Sequence, residues 1–155
     1  MATTHPETHV NYLEKVRPSP GIWALCVCAA ASTALMVFPV WRLGAVVLPV
    51  IAFLLLFLWM RSLTVRIVVT DTQLIVGEAH IERTFVAAAH AYDAEAARVA
   101  RGVELNARAF LVLRPWVKPA VKIDIADETD PTPYWLVSSN HPEEFAAALG
   151  DRPRD

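Results

Sequence analysis

The chain has 155 residues, enough for one ordinary domain or for a small domain with a membrane anchor. Hydrophobic residues make up 55% of the chain and charged residues 19%, so it is more apolar than a typical soluble domain. Its net charge of −2 supplies no positive field for nucleic acid, and we expect no nucleic-acid partner.

The excess of apolar residues lies in two uncharged runs near the N-terminus. Residues 21–40 and 43–60 are each long enough, at about 1.5 Å per residue, to cross a bilayer core as a helix. Only Trp41 and Arg42 separate them, which predicts a transmembrane hairpin over 21–60 with a very short turn. The alternatives are a cleaved signal peptide and the core helices of a soluble protein. Residues 1–20 are interpreted as an N-terminal cytoplasmic tail, in which residues 11–17 form either a short turn at the headgroups or a simple juxtamembrane linker.

The basic residues around the two runs predict their orientation. Lys15 and Arg17 precede the first run, Arg61 and Arg66 follow the second, and Arg42 is alone in the turn. The positive-inside rule therefore predicts a multi-pass protein of the inner (plasma) membrane with both termini in the cytoplasm. Neither run contains an ionisable Asp, Glu, Lys, Arg or His residue, which indicates an anchor or a packing surface rather than an ion path.

Residues 62–150 have the pattern of a cytoplasmic β-rich domain, and 151–155 that of a tail. In chain order the patterns predict strands over 63–70, 74–76 and 81–86, an ambiguous segment over 87–92, a helix over 93–101, strands over 109–113, 121–125 and 134–138, and a last helix from Pro142 to Gly150. The predicted fold class is an α+β membrane protein, in which a two-helix hairpin precedes a small β-barrel or sandwich with a C-terminal helix. This element order looks like the pleckstrin-homology-like (PH-like) layout.

Several short motifs together indicate a family. They are Tyr12-Leu13-Glu14, the segment LIVGEA at 74–79, the segment RPWV at 114–117 and the segment DPTPYWLVSS at 130–139. With the double apolar run, they resemble the actinobacterial membrane proteins grouped as DUF3093, a domain of unknown function. The resemblance covers nearly the whole chain after the first ten residues. It implies a membrane protein and no established activity.

Three groups of residues are candidates for a site. Arg114, Trp116 and Lys118 form a basic-aromatic stretch for anionic headgroups or a partner, with a loop around one buried Trp as the alternative. Tyr134 and Trp135 follow each other in a strand, so alternation predicts one in the core and one at the surface, where it could line a recognition groove.

The third group lies around the last predicted β-hairpin. Asp124, Asp127, Asp130 and His141 are the residue types that bind a divalent metal or perform acid–base chemistry. An ordinary acidic turn followed by a helix cap explains the same residues. We therefore assign no catalytic, cofactor-binding or metal-binding residue.

These observations predict a non-enzymatic, membrane-anchored interaction or scaffold module that binds a protein or a lipid headgroup at the inner leaflet. Two alternatives stay open. One is a membrane-tethered hydrolase that uses the acidic turn near Asp127 together with His141. The other is an accessory subunit of an envelope complex, or a homo-oligomer, assembled through the small residues Ala30 and Ala34 of the hairpin.

Overall fold

The computed structural model describes residues 9–127 and 129–150, so the predicted tails at 1–8 and 151–155, and Glu128 of the acidic turn, lie outside the described residues. The chain divides into two compact units. Residues 17–64 form one unit, here called the apolar hairpin. The described residues before Arg17 and after Thr64 form the other, here called the β domain.

The apolar hairpin consists of two long helices, α1 (Pro20–Val37) and α2 (Gly44–Ser62). Both are long and apolar enough to cross a membrane, and only 11% and 17% of their most apolar windows are buried. The turn between them spans residues 38–43 and is longer than the predicted two residues. Pro39 explains the difference, because proline has no backbone N–H to continue the hydrogen bonds of α1.

The two helices pack as antiparallel neighbours through small side chains. Trp23, near the start of α1, contacts Phe57, near the end of α2, with ring centroids 5.5 Å apart. The buried residues of α1 are Cys26 and Ala30. They follow Trp23 by three and seven positions, so they lie on the same face of the helix as Trp23. Cys26 and Ala30 thus serve the packing of the hairpin itself, whereas the small residue Ala29 is exposed.

The first sheet of the β domain is antiparallel and follows the order β1-β2-β3-β4. Its strands are β1 (Val10–Val16), β2 (Val65–Thr70), β3 (Gln73–Val76) and β4 (Ala79–Glu82). Gly77 has a φ of 65° in the two-residue turn between β3 and β4. A positive φ at the first turn position suits a hairpin and favours glycine.

Strand β1 corrects the predicted headgroup turn over residues 11–17. Tyr12, Glu14 and Val16 point into the domain, and β1 pairs with β2 from Val16↔Val65 to Val10↔Thr70. The apolar hairpin is therefore inserted between two neighbouring strands, and residues 10–16 belong to the β domain rather than to a tail. The sequence pattern does not predict this strand, because Glu14 occupies an inward position where a half-buried strand usually has an apolar residue.

The second sheet follows the order β5-β7-β8-β6 and contains one parallel pair, β6 with β8. Its strands are β5 (Val86–Tyr92), β6 (Phe110–Val112), β7 (Ala120–Ile125) and β8 (Tyr134–Ser138). Two helices complete the domain, α3 (Ala94–Arg101) and α4 (Pro142–Gly150). Asp93 caps α3 by accepting a hydrogen bond from the N–H of Ala96 at 2.8 Å.

The two sheets share one core and do not close into a barrel, so the barrel alternative is wrong and the domain is an α+β sandwich of open sheets. Ile67 and Leu74 of the first sheet pack in the same cluster as Ile123 and Val137 of the second. Helix α4 contributes Phe145 and Leu149, which are four apart and therefore on one face, to this core.

Candidate functional site

A buried carboxylate joins the first strand to the end of the last. Glu14, on β1, is only 7% exposed. It accepts hydrogen bonds from Ser139 Oγ at 2.6 Å, from the N–H and Nδ2 of Asn140 at 2.8 and 2.9 Å, and from the Tyr12 hydroxyl at 2.9 Å. The Tyr12 ring stacks on Phe145 of α4 at 5.4 Å. These residues, here called the Glu14 cluster, fix β1 to the segment that enters α4.

The Glu14 cluster holds its charge without a basic partner among the described residues. Burial of Glu14 opposes ionisation, but hydrogen bonds from Ser139, Asn140 and Tyr12 outweigh it and lower the pKa of the carboxyl. Burial, with help from the Glu14 carboxylate, raises the pKa of the Tyr12 phenol, so Tyr12 remains a donor. The cluster is fully hydrogen-bonded, and we interpret it as structural.

Three contacts place the predicted basic-aromatic stretch at the end of the β domain that connects to the apolar hairpin. The N–H of Arg114 donates to Ser138 Oγ at 3.0 Å, and the next residue, Ser139, donates to Glu14. Glu14 lies two residues before Val16, and Val16 pairs with Val65. The loop after β6 and both chain connections therefore lie at one end of the domain, here called the connection end.

The side chains of the stretch point in different directions. Trp116 packs against the core, and its indole N–H has no hydrogen-bond partner among the described residues. Lys118 is exposed, and the Arg114 guanidinium donates to the carbonyl of Leu113 at 3.1 Å. The stretch is thus a loop with one inward-facing Trp and a basic surface.

Tyr134 and Trp135 are both buried, which corrects the prediction that one of them is exposed. Trp135 faces the shared core, whereas Tyr134 faces Ala97 and Ala100 of α3. Helix α3 covers the second face of the sheet. Side chains that alternate along β8 are therefore buried on both faces. The Tyr134 hydroxyl accepts a hydrogen bond from the N–H of Asn106 at 2.8 Å and serves packing.

The acidic residues do not converge on His141. Asp124 pairs with His90 and Lys122, each at 3.3 Å, whereas His141 lies near Glu144 at 4.0 Å. Asp127 accepts hydrogen bonds from the hydroxyl and the N–H of Thr129, which lower its pKa and order the turn.

Asp127 and Asp130 instead line an open depression of about 320 Å³ with His80 and Glu82 of β4. No three His, Cys, Asp or Glu residues in the described part of the chain are grouped as a metal site. The hydrolase hypothesis therefore loses its pairing of Asp127 with His141.

A second and larger depression lies beside α3. It has a volume of about 570 Å³, and Arg98, Arg101 and Lys118 line it together with Glu95. Lys118 was a candidate from the sequence, whereas Arg98 and Arg101 were not. Two basic residues three apart in the last turn of a predicted helix were the available signal, but they also suit the helix dipole and so were not specific.

Comparison with known proteins identifies the family of the chain and no closer relative. No curated protein and no solved structure matches it. Residues 11–149 match the family described as "Protein of unknown function (DUF3093)", a span that includes β1, the apolar hairpin and the whole β domain. The chain therefore belongs to the DUF3093 family, as its motifs predicted.

Proposed function

We propose that this protein is a membrane-anchored binding module, whose apolar hairpin crosses the plasma membrane and holds the β domain at its cytoplasmic face. The observation that carries the proposal is the insertion of the hairpin between two paired strands. Because the chain leaves β1 at Val16 and returns at Val65 opposite, the β domain is tethered at two adjacent points. A double tether restricts the orientation of a domain at a surface more than a single linker does.

The proposed orientation rests on the basic residues at the connections. Lys15, Arg17, Arg61 and Arg66 flank the hairpin on the side of the β domain, whereas Arg42 is in the turn between the helices. The positive-inside rule then assigns the connection end to the cytoplasm. An antiparallel hairpin returns the chain to the side from which it entered, so the β domain follows on the same side.

The connection end supplies the surface for binding. In the proposed arrangement Arg114 and Lys118, at this end, come close to the membrane surface. Each such cation contributes about 1 kcal/mol of attraction to an anionic leaflet at moderate ionic strength. We propose anionic lipid headgroups as the first ligands of this surface and a protein partner as the alternative.

A PH-like origin of the β domain is the finer part of the fold proposal. An antiparallel first sheet of consecutive strands and a C-terminal helix packed on the core support it. The insertion of α3 and the parallel pairing of β6 with β8 are departures from that layout. The proposed function depends on the double tether and not on this likeness.

Cysteine labelling tests the proposed topology. In full-length protein carrying Cys26→Ala and Cys28→Ala, a single cysteine is introduced by Arg42→Cys in the turn or by Glu78→Cys in the β domain. We expect a membrane-impermeant maleimide to label the first in intact spheroplasts and the second only after permeabilisation. Both variants should stay in the membrane fraction after alkaline carbonate extraction.

Two results would contradict the proposal. Labelling of the Glu78→Cys variant in intact spheroplasts would place the β domain outside the cytoplasm. Release of both variants by carbonate would show that the hairpin does not cross the bilayer.

A further inference from the structure

The depression beside α3 combines a cavity with an excess of positive charge. Its volume of about 570 Å³ falls within the range of about 300–1,000 Å³ that is usual for small-molecule sites. It is lined by Ala94, Glu95, Arg98, Arg101, Gly102 and Lys118. Three cations face one carboxylate there, on a chain whose net charge is −2. The local charge is therefore opposite in sign to that of the whole chain.

The three basic side chains of the depression differ in the groups that they contact and in whether their charge is neutralised. Arg98 forms a two-point pair with Glu95, with N–O distances of 3.1 and 2.5 Å. Arg101 donates to the carbonyls of Ala97 and Lys118, which are neutral acceptors. The Lys118 ammonium is exposed and forms no ion pair among the described residues. Within the described part of the chain, Arg101 and Lys118 thus have no counter-charge.

A structural role at the end of α3 explains two of the three basic residues of the depression. Arg98 and Arg101 stand in the last turn of α3, where cations offset the negative end of the helix dipole. Lys118 belongs to a different segment, the loop before β7, and takes no part in that helix end. The Arg101 guanidinium donates to the carbonyl of Ala97 at 3.0 Å and also to that of Lys118, so it lies between the two segments.

We propose that this depression binds a phosphate-bearing anion through Arg101, Lys118 and Arg98. The guanidinium of Arg101 and the exposed ammonium of Lys118 are both donors that bind phosphate oxygens well. The excess of two positive charges matches a phosphate monoester, which carries close to two negative charges at neutral pH. Glu95 holds Arg98 at the edge of the depression, where it can add a third donor.

This inference deepens the proposed function. A lipid headgroup as the source of the phosphate rests on the proposed function. Lys118 belongs to the loop at the connection end, so in a membrane-anchored chain the depression opens near anionic headgroups. The same chemistry suits a soluble phosphate ester from the cytoplasm. Binding in detergent micelles is independent of topology, so failure of this inference and failure of the proposed function are separate results.

Binding is measured on the full chain in a neutral detergent by calorimetric titration. The lipid arm uses short-chain phosphatidic acid, with short-chain phosphatidylcholine as its zwitterionic reference, and the soluble arm uses glycerol 3-phosphate and pyrophosphate. We expect saturable binding in at least one arm, with Kd rising about tenfold or more in the Lys118→Glu variant, which leaves no net charge in the depression. Binding only of phosphatidic acid would assign a lipid headgroup, and binding of glycerol 3-phosphate or pyrophosphate would assign a soluble ligand.

The matched control is Arg108→Glu, which makes the same charge change at an exposed residue outside the depression. It should leave Kd within about twofold of the unsubstituted chain, and Lys118→Arg should retain binding. Equal weakening by Lys118→Glu and Arg108→Glu would overturn the site in favour of general electrostatic attraction. Absence of saturable binding to every phosphate probe would also overturn it.

Discussion

Glu14 shows how one polar residue in an apolar position can organise a domain. Its carboxylate accepts four hydrogen bonds from three residues, two of which lie more than a hundred positions later in the chain. Hydrogen bonds to a charged acceptor contribute about 1.5–3 kcal/mol each, so the cluster stabilises the contact of β1 with the rest of the domain. Strand β1 also carries the first connection to the apolar hairpin, and anchoring it steadies that connection.

The lowered pKa of Glu14 predicts a specific dependence of stability on pH. The ordinary value of its carboxyl is 4.5, and the folded value lies below it. The stabilisation is therefore complete above about pH 4.5 and is lost as the pH falls from there towards the folded pKa. For Glu14→Gln we expect a loss of about 3 kcal/mol at pH 7 and a flatter stability profile below pH 4.5. Urea unfolding of the full chain in detergent measures both.

The control for this experiment is Glu78→Gln, at an exposed position of the turn between β3 and β4. It should change stability by less than about 0.5 kcal/mol and keep the acid dependence of the unsubstituted chain. If Glu14→Gln behaves like Glu78→Gln, Glu14 is not an ionised acceptor that supports the fold.

At the scale of elements, the packing of the apolar hairpin decides whether its small residues are available to a partner. Ala30 is 5% exposed and lies on the face of α1 that carries Trp23, whereas its neighbour Ala29 is exposed. The envelope-subunit hypothesis treated the small residues around Ala30 as a surface for another protein. At Ala30 that surface is already occupied within the hairpin.

An overpacking experiment tests this use of Ala30. The rings of Trp23 and Phe57 are 5.5 Å apart, so the two positions face each other. Cysteines introduced there by Trp23→Cys and Phe57→Cys, in protein free of Cys26 and Cys28, are joined with a short bismaleimide. Ala30→Leu adds three carbon atoms between the helices at a cost of about 1–3 kcal/mol, so we expect the crosslinking yield to fall severalfold.

Ala29→Leu is the matched control, because it makes the same substitution one residue earlier on the exposed face. It should leave the crosslinking yield unchanged. Equal yields with Leu at either position would mean that α1 does not pack on α2 through Ala30.

Local patterns predicted most elements of the chain and few of its long-range pairings. Helix α3, with Asp93 at its cap, strand β8 and helix α4 all lie within a residue of their predicted bounds, because caps, alternation and turn residues act over short distances. Strand β1 was missed because its partner lies beyond the hairpin and its inward Glu14 breaks the alternation. The Glu14 cluster and the depression beside α3 were missed for the same reason, since each joins segments that are far apart in sequence.

At the scale of the whole molecule, the β domain is continuous in space although the apolar hairpin interrupts it in sequence. Val16 and Val65 are paired neighbours, and both are buried in the core. A two-residue turn such as Asn-Gly can join strand ends that are paired in this way. The geometry thus predicts that residues 9–16, joined by Asn-Gly to residues 65–150, form a complete domain without the hairpin.

We expect this joined chain to be soluble without detergent and to unfold cooperatively, as followed by near-ultraviolet circular dichroism during a thermal scan. The comparison is a chain of residues 62–150, which keeps every predicted element of the β domain but lacks β1. Without β1, the inner face of β2 loses the Val16 side chain, Phe145 loses the Tyr12 ring, and Ser139 and Asn140 lose their acceptor. Loss of one such buried apolar side chain costs about 2–5 kcal/mol, comparable to the whole stability of a small domain, so this chain should aggregate or lack cooperative unfolding. Cooperative unfolding of residues 62–150 alone would show that β1 is dispensable, and the double tether would then be no part of the fold.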